Sequence, residues 1–323
     1  MASGSQRLRC VVLDDYQAVA EQVAPWDRLA DWVNVESVRN HIANEQALLA
    51  QLLTADIVVA NRERTALTAR IISALPQLKL IVTTGMCNAA IDGAAARARG
   101  IPLCGTGNFG APTVELTWAL LLSMARNIVV EANGVSAGRW QQTLGLGLQG
   151  RVLGLVGLGN VGAGVARVAT GFGMNILAWS PNLTRERAQA AGVTLASDLH
   201  TLFATADFVS LHAALTETSH GLVTRALLNA MKPDAVFINT ARAGLVDEVA
   251  LLDVLKAGKI RGAALDVFQE EPLPVCHPLR ALPNVLATPH LGYVTDHNYQ
   301  RYFGDAVDNI AAWLAGAPVR VIN

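Results

Sequence analysis

The chain has 323 residues, 52% of them hydrophobic and only 16% charged, with a formal net charge of -1. That length accommodates two domains at roughly 100–200 residues each, and the composition supports large cores and excludes a disordered or tail-dominated protein. A nearly neutral chain sets up no field to draw in nucleic acid or an anionic membrane, so neither is expected as a partner. The four cysteines (Cys10, Cys87, Cys104, Cys276) are scattered without a C-x-x-C pair, so neither a metal site nor a disulfide framework is expected. Residues 1–9 are polar and lack the apolar core of a secretory signal. No uncharged apolar run reaches the ~18 residues of a membrane span. A soluble protein of the reducing cytoplasm is the expectation.

In chain order, residues 1–6 read as a frayed start, and Leu8-Arg9-Cys10-Val11-Val12-Leu13 as a buried strand ending in Asp14-Asp15. A helix is expected over 17–29, a strand over 32–35, a helix over 45–53 and a strand over 57–60. Asn61-Arg62-Glu63-Arg64-Thr65 follows, then a helix over 68–74 and a strand over 80–84 closing at Gly85. Residues 89–99 read as helix and 101–104 as a short strand. At 105–112 three glycines and a proline precede a long helix over 113–126, which reads as a hinge between domains. Residues 131–140 continue helical, and 141–150 form a Gly/Leu-rich connector.

Next comes the stretch around which the second half is organised. The apolar run Val152-Leu153-Gly154-Leu155-Val156 leads into Gly157-Leu158-Gly159-Asn160-Val161-Gly162, a helical segment, and a second apolar run at 175–179. Strand, glycine turn, helix, strand is the order a dinucleotide site requires. The first glycine makes the tight turn, the second lets backbone approach a pyrophosphate, and the third lets helix and strand pack closely. The phosphates would sit on the positive end of the helix. Further strands are expected at 208–212, 235–240, 262–268 and 285–288, with helices at 222–231, 248–257 and 296–315. Strand and helix alternate throughout, so the class is α/β with parallel sheets.

Ligands of open parallel sheets bind beyond the carboxyl ends of the strands. After 238–240 comes Arg242; after 265–268 comes Glu270-Glu271-Pro272; after 286–289 comes His290. An arginine fork binds a carboxylate and polarises a neighbouring carbonyl. A histidine gives the proton that accompanies hydride addition and takes it back in reverse. A carboxylate fixes the tautomer of that histidine and offsets its positive charge. The set suits hydride transfer to a 2-keto acid.

Taken together, several stretches resemble the D-isomer-specific 2-hydroxyacid dehydrogenases. They are the glycine motif, Asn239-Thr240-Ala241-Arg242 with Leu245-Val246-Asp247-Glu248, Asp266-Val267-Phe268 with Glu271-Pro272, and Thr288-Pro289-His290-Leu291-Gly292. The resemblance covers nearly the whole chain, including the helix at 113–122 and His212 with Leu215-Thr216. It implies a catalytic triad of Arg242, Glu271 and His290. Glu271 is preferred to Glu270 because the family's carboxylate directly precedes the proline. A nicotinamide cofactor would be held by Gly157, Gly159, Asn160, Val161, Gly162, Ser180, Thr113, His212, Thr240 and Asp266, the last on the nicotinamide amide. Substrate would meet Gly85, Met86, Cys87 and Arg62. Two Rossmann-like or flavodoxin-like domains are implied, the nucleotide domain (108–293) inserted into the substrate domain (1–107 plus 294–323), with a homodimer built around 113–150.

The departures from the family bear on specificity. An acidic residue usually follows the strand after the glycine motif, where it binds the adenine ribose and repels a 2′-phosphate; here Trp179 is followed by Ser180-Pro181-Asn182. Arg185 and Arg187 either reach a phosphate or are exposed helix-start charges, so NAD and NADP both stay open. Cys87 stands at a usual glycine and reads as a small packed thiol rather than a catalytic one. Arg62 and Arg64 either meet an anionic substrate or are solvated loop charges. Tyr293 replaces a common glycine and is expected to narrow the cleft, and Ala243 replaces a glycine after the arginine. The leading expectation is a reductase of small 2-keto acids. D-3-phosphoglycerate dehydrogenase and hydroxypyruvate or glyoxylate reductase are the alternatives in the same fold, and a dinucleotide-sensing corepressor is the alternative of another class.

Overall fold

The computed structural model describes residues 7–323, so the frayed start read at 1–6 lies outside the described residues. The chain divides into two compact units. One comprises the described residues up to Phe109 together with Val294–Asn323; the other is Gly110–Tyr293.

The first unit opens with β1 (Leu8–Val12), β2 (Val33–Ser37), α1 (Glu45–Leu52), β3 (Ile57–Ala60), α2 (Ala69–Ala74), β4 (Leu80–Thr83), α3 (Gly93–Ala98) and β5 (Leu103–Cys104). The strands are all parallel, in the order β2-β1-β3-β4-β5, which is the flavodoxin-like arrangement. Val11, Val58 and Ile81 join Leu48, Leu52, Ile71, Ile72 and Ala96 of the helices in one core. Strand residues alternate between faces, and both faces of a parallel sheet are covered, so Cys10, Val12, Val59 and Val82 are buried as well.

The expected helix over 17–29 does not form. Asp15 accepts the amides of Val19 and Ala20, and Ala18 sits at φ 56°. The chain therefore turns where a helix would have begun, and only a short 3-10 segment, Trp26–Leu29, follows Pro25.

The second unit contains α4 (Ala111–Arg126), α5 (Ile128–Ser136), β6 (Val152–Val156), α6 (Asn160–Gly171), β7 (Asn175–Trp179), α7 (Arg185–Ala190), β8 (Thr194–Leu195), α8 (Leu199–Thr205), β9 (Phe208–Leu211), α9 (Arg225–Ala230), β10 (Val236–Asn239), α10 (Glu248–Lys256), β11 (Gly262–Leu265) and β12 (Val285–Ala287). The chain then returns to the first unit as α11 (Asp296–Leu314), which buries Tyr302, Phe303, Ala306 and Ile310. The helical stretch expected to run through 131–140 is a separate helix ending at Ser136, because Asn127 at φ 50° breaks it from α4.

All strands of the second sheet are parallel, in the order β12-β11-β10-β9-β6-β7-β8. Strand order reverses at β6, as in the Rossmann fold. Phe208, Val236 and Ile238 point to the face covered by Trp118, Leu121 and Val165. Their neighbours Val209 and Phe237 point to the opposite face with Phe203, Leu251 and Val254. Removing one such side chain, as in Phe237→Ala, costs about 3–5 kcal/mol. The helices on these faces start where a short polar side chain accepts a first-turn amide. Thr184, Asp198, Thr224 and Asp247 do so for α7, α8, α9 and α10. Among the described residues, no single helix is long and apolar enough to cross a membrane.

Candidate active site

The turn between β6 and α6 shows why its glycines are glycines. Gly157 has φ +99°, and a Cβ there would lie 2.6 Å from the Ala213 amide nitrogen. A Cβ on Gly162 would collide with the Gly157 carbonyl oxygen. Gly159 differs: its φ is -80°, and a Cβ there would meet no protein atom within 4 Å. Protein packing thus does not require a glycine at this position. Gly159 is also the N-cap of α6, so no N-cap side chain takes up the first-turn amides near Asn160 and Val161. An uncapped helix start behind an open glycine fits a pyrophosphate.

Beyond β7 the chain places Ser180, whose carbonyl accepts the Leu183 amide at 3.1 Å. Arg187 folds back on this loop, donating to the Asn182 carbonyl at 3.1 Å. Arg185 is exposed at the start of α7.

His212 follows β9 directly beneath the glycine turn. Its Nε2 lies 2.9 Å from Ser210 Oγ. Burial pushes the imidazole pKa down to about 4, so the ring is neutral near neutral pH. At the next strand end, Asn239 shapes the Arg242 turn: its Oδ1 accepts the Ala241 amide and its Nδ2 donates to the Arg242 carbonyl, both at 3.0 Å. Arg242 Nη1 donates to the Ala241 carbonyl at 2.7 Å. The Thr240 hydroxyl pairs with that of Thr117 at 2.8 Å, tying β10 to α4.

β11 and β12 deliver the densest cluster. His290 Nδ1 lies 2.7 Å from Glu271 Oε2, and Glu271 Oε1 accepts the Phe268 amide at 2.9 Å. His290 sits in the left-handed region at φ 54°, a conformation that costs a non-glycine residue about 1–3 kcal/mol. Asp266 supports that turn: its carboxylate accepts Thr288 Oγ1–H at 2.7 Å and the amides of Leu291 and Gly292 at 2.7 and 2.9 Å. Burial pushes the Asp266 carboxyl above the usual carboxylate range, against those hydrogen bonds and the nearby His290. The Thr113 hydroxyl donates to the Gly292 carbonyl at 2.8 Å. The Tyr293 ring meets the His290 ring edge-on, centroids 5.4 Å apart.

In the first unit, Arg62 and the loop after β4 lie together. The Arg62 amide donates to Thr84 Oγ1 at 2.8 Å, and a Cβ on Gly85, at φ +92°, would collide with the Arg62 guanidinium. Met86 is 48% exposed. Cys87 is exposed rather than packed, so the reading of a buried thiol there does not hold. Arg64 stacks over the Tyr16 ring at 4.6 Å and donates to the Asp14 carbonyl at 3.0 Å.

Asn239 and Thr288 were not singled out as site residues from sequence. Both stood inside quoted motifs, and a short polar side chain at a strand end is the signal of a hydrogen-bonded turn.

The sheet order and the glycine turn define a dinucleotide-binding domain of Rossmann type. Residues 118–292 match the family model described as "D-isomer specific 2-hydroxyacid dehydrogenase, NAD binding domain", and the chain belongs to that family. It is 36% identical over 281 residues to the hydroxypyruvate reductase of Thermotoga maritima, covering 85% of this chain and 90% of that protein. It is 40% identical over 255 residues to the D-3-phosphoglycerate dehydrogenase of Methanocaldococcus jannaschii, covering 78% of this chain but 48% of that one. The chain thus spans about half the length of several phosphoglycerate dehydrogenases it matches. The crystal structure of a phosphoglycerate oxidoreductase from Vibrio cholerae superposes with a TM-score of 0.92 at 37% identity, over 96% of this chain and 100% of that one.

Proposed function

We propose that this protein is an oxidoreductase that transfers a hydride between a nicotinamide cofactor and a small 2-keto or D-2-hydroxy acid. The observation that carries the reading is the 2.7 Å bond between Glu271 and His290, standing at the carboxyl rim of a sheet with an open dinucleotide turn. When bound, the cofactor supplies or accepts the hydride. The chain's own residues do the rest. Arg242 binds the substrate carboxylate through its planar fork and polarises the adjacent carbonyl. Glu271 holds the proton on His290 Nδ1, which leaves Nε2 to give a proton to the carbonyl oxygen in reduction and to take it from the hydroxyl in oxidation. Asp266, Thr288 and Thr113 hold the 288–292 turn in place.

Ser180 adds no negative charge where a 2′-phosphate would lie, so both NAD(H) and NADP(H) serve as cofactor. Ile128, Val129, Val130 and Val135 of α5 are each 45–54% exposed, and this apolar face is the surface a second copy covers in a homodimer. The cytoplasm is the compartment that fits four free cysteines.

Oxidation of NADH and of NADPH by the purified protein with a panel of 2-keto acids tests the reading. Pyruvate, glyoxylate, hydroxypyruvate and 3-phosphohydroxypyruvate belong in the panel, the last because several similar proteins are named D-3-phosphoglycerate dehydrogenase. Turnover with at least one of them is expected. Binding of reduced cofactor without turnover of any would favour the dinucleotide sensor instead.

A further inference from the structure

Glu271 rides on a long loop that leaves the sheet after β11 and returns at β12. Within itself the loop is stiff. Arg280 Nε and Nη2 donate to the carbonyls of Pro274 and Leu273 at 2.9 and 2.5 Å, and the His277 amide donates to the Pro274 carbonyl at 3.0 Å. None of these bonds fastens the loop to a neighbouring element.

A second carboxylate–imidazole pair does. His277 Nε2 lies 3.2 Å from Oε1 of Glu248, the first residue of α10. Both side chains are largely shielded, 19% and 24% exposed. His277 Nδ1 accepts the Leu279 amide at 3.4 Å, so the proton of the neutral ring is on Nε2, facing Glu248. Apolar packing under this part of the loop is incomplete. Leu279 is buried, but beside it Glu248, Leu251, Val267 and Asn239 line a cavity of about 20 Å³. The helix at the other end of the bond matters too. α10 begins at its Asp247 cap, five residues after Arg242, and the intervening turn is pinned by the Asn239 bonds described above. Asn284 Nδ2 ties the end of the loop to the Leu255 carbonyl farther along α10 at 3.1 Å, and the His277–Glu248 bond joins the middle of the loop to the segment that follows Arg242.

We propose that Glu248 and His277 are a positioning pair, docking the Glu271 loop onto the start of α10 and so setting Glu271 against His290. This rests on the reading of Glu271 and His290 as the acid–base pair. Neither Glu248 nor His277 touches substrate. Their effect passes through the 2.7 Å Glu271–His290 bond, where a displacement of ~1 Å costs on the order of 100-fold in rate.

The test compares Glu248→Ala and His277→Ala with Glu248→Gln, which keeps the accepting oxygen. The first readout needs no substrate: the NMR signal of the His290 Nδ1 proton, assigned by its loss in Glu271→Ala. Glu248→Ala and His277→Ala are expected to broaden or abolish it, and Glu248→Gln to keep it. The second readout is kinetic. In the alanine variants kcat is expected to fall about 10-fold with KM for the keto acid within about twofold, as for a step that depends on placement, and Glu248→Gln restores it. A latch that served stability alone would lower the melting temperature and leave the proton signal intact. An intact signal in Glu248→Ala overturns the proposal, whatever happens to turnover; His277→Asn provides the same reading if that variant does not fold. Absence of keto-acid reduction by the native protein would instead sink the acid–base assignment, with the proton signal still reporting on the latch.

Discussion

On the proposed function, Arg242 binds the substrate carboxylate, a task to which its nearest relative is poorly suited. A lysine carries the charge but presents a point donor in place of a planar fork. Arg242→Lys is therefore expected to lower kcat/KM by 10-fold or more, about 1.4 kcal/mol or more of transition-state binding. Kinetics like those of the native protein would mean that the carboxylate is held elsewhere. On the proposed function, Ser180 sets the cofactor preference. The native protein is expected to use NADH and NADPH within about tenfold, a difference of ~1.4 kcal/mol. Ser180→Asp should shift the kcat/KM ratio toward NADH, through a ribose hydrogen bond and a repulsive charge together. Measured at one salt concentration, a native protein that already rejects NADPH, with a ratio unmoved by Ser180→Asp, would show that another residue reads the ribose. The candidates that sequence offered were those tied to a strand end: Arg242, Glu271 and His290 each follow a clear apolar run, and the structure pairs Glu271 with His290. The supports were harder to read, because Glu248 and His277 are 29 positions apart and nothing in either local sequence points to the other.

At the scale of elements, the β6–α6 turn separates two uses of glycine. Gly162→Ala drives a Cβ into the Gly157 carbonyl, so the backbone must move and both stability and dinucleotide binding should suffer. Gly159→Ala adds a Cβ that meets no protein atom within 4 Å at a φ open to any residue. It is expected to fold with native stability and yet bind NAD(P)H at least about 10-fold more weakly. Thermal unfolding and cofactor titration of the two variants check this; native affinity in Gly159→Ala would contradict a pyrophosphate lying against that turn. The long apolar runs of β3, β4, β9 and β10 were legible because both sheet faces are buried. The helix expected at 17–29 was misread because its apolar spacing is real, but Ala18 takes the left-handed conformation at φ 56° and Pro25 interrupts the run, leaving only the 3-10 segment Trp26–Leu29. β8 and α8 went unread: β8 has only two residues, although Asp198 ahead of Leu199 and Leu202 is a helix-start signal.

For the molecule as a whole, His212 links acidity to stability. Its folded pKa lies near 4, against an ordinary value of 6.5. Above 6.5 the ring is neutral folded or unfolded and contributes no slope. Between 6.5 and about 4 the unfolded chain takes up a proton that the folded one refuses, so stability falls as pH falls across that window. Denaturant midpoints measured from pH 7 to pH 4 should decline, and less steeply in His212→Gln, whose amide can still reach Ser210; equal slopes in the two proteins would remove His212 from the linkage. The α/β class, the parallel sheets and the family were legible because alternating elements and strand-end motifs are local signals. The exposure of Cys87 was not, since it depends on how its loop packs. The claim on which the rest depends is that His290 moves the proton. The direct measurement is single-turnover and steady-state reduction of a 2-keto acid by the native protein and by His290→Ala, with the NAD(P)H dissociation constant taken on the same samples. Turnover is expected to fall by at least ~100-fold with cofactor affinity nearly unchanged; near-native turnover in His290→Ala would contradict the account.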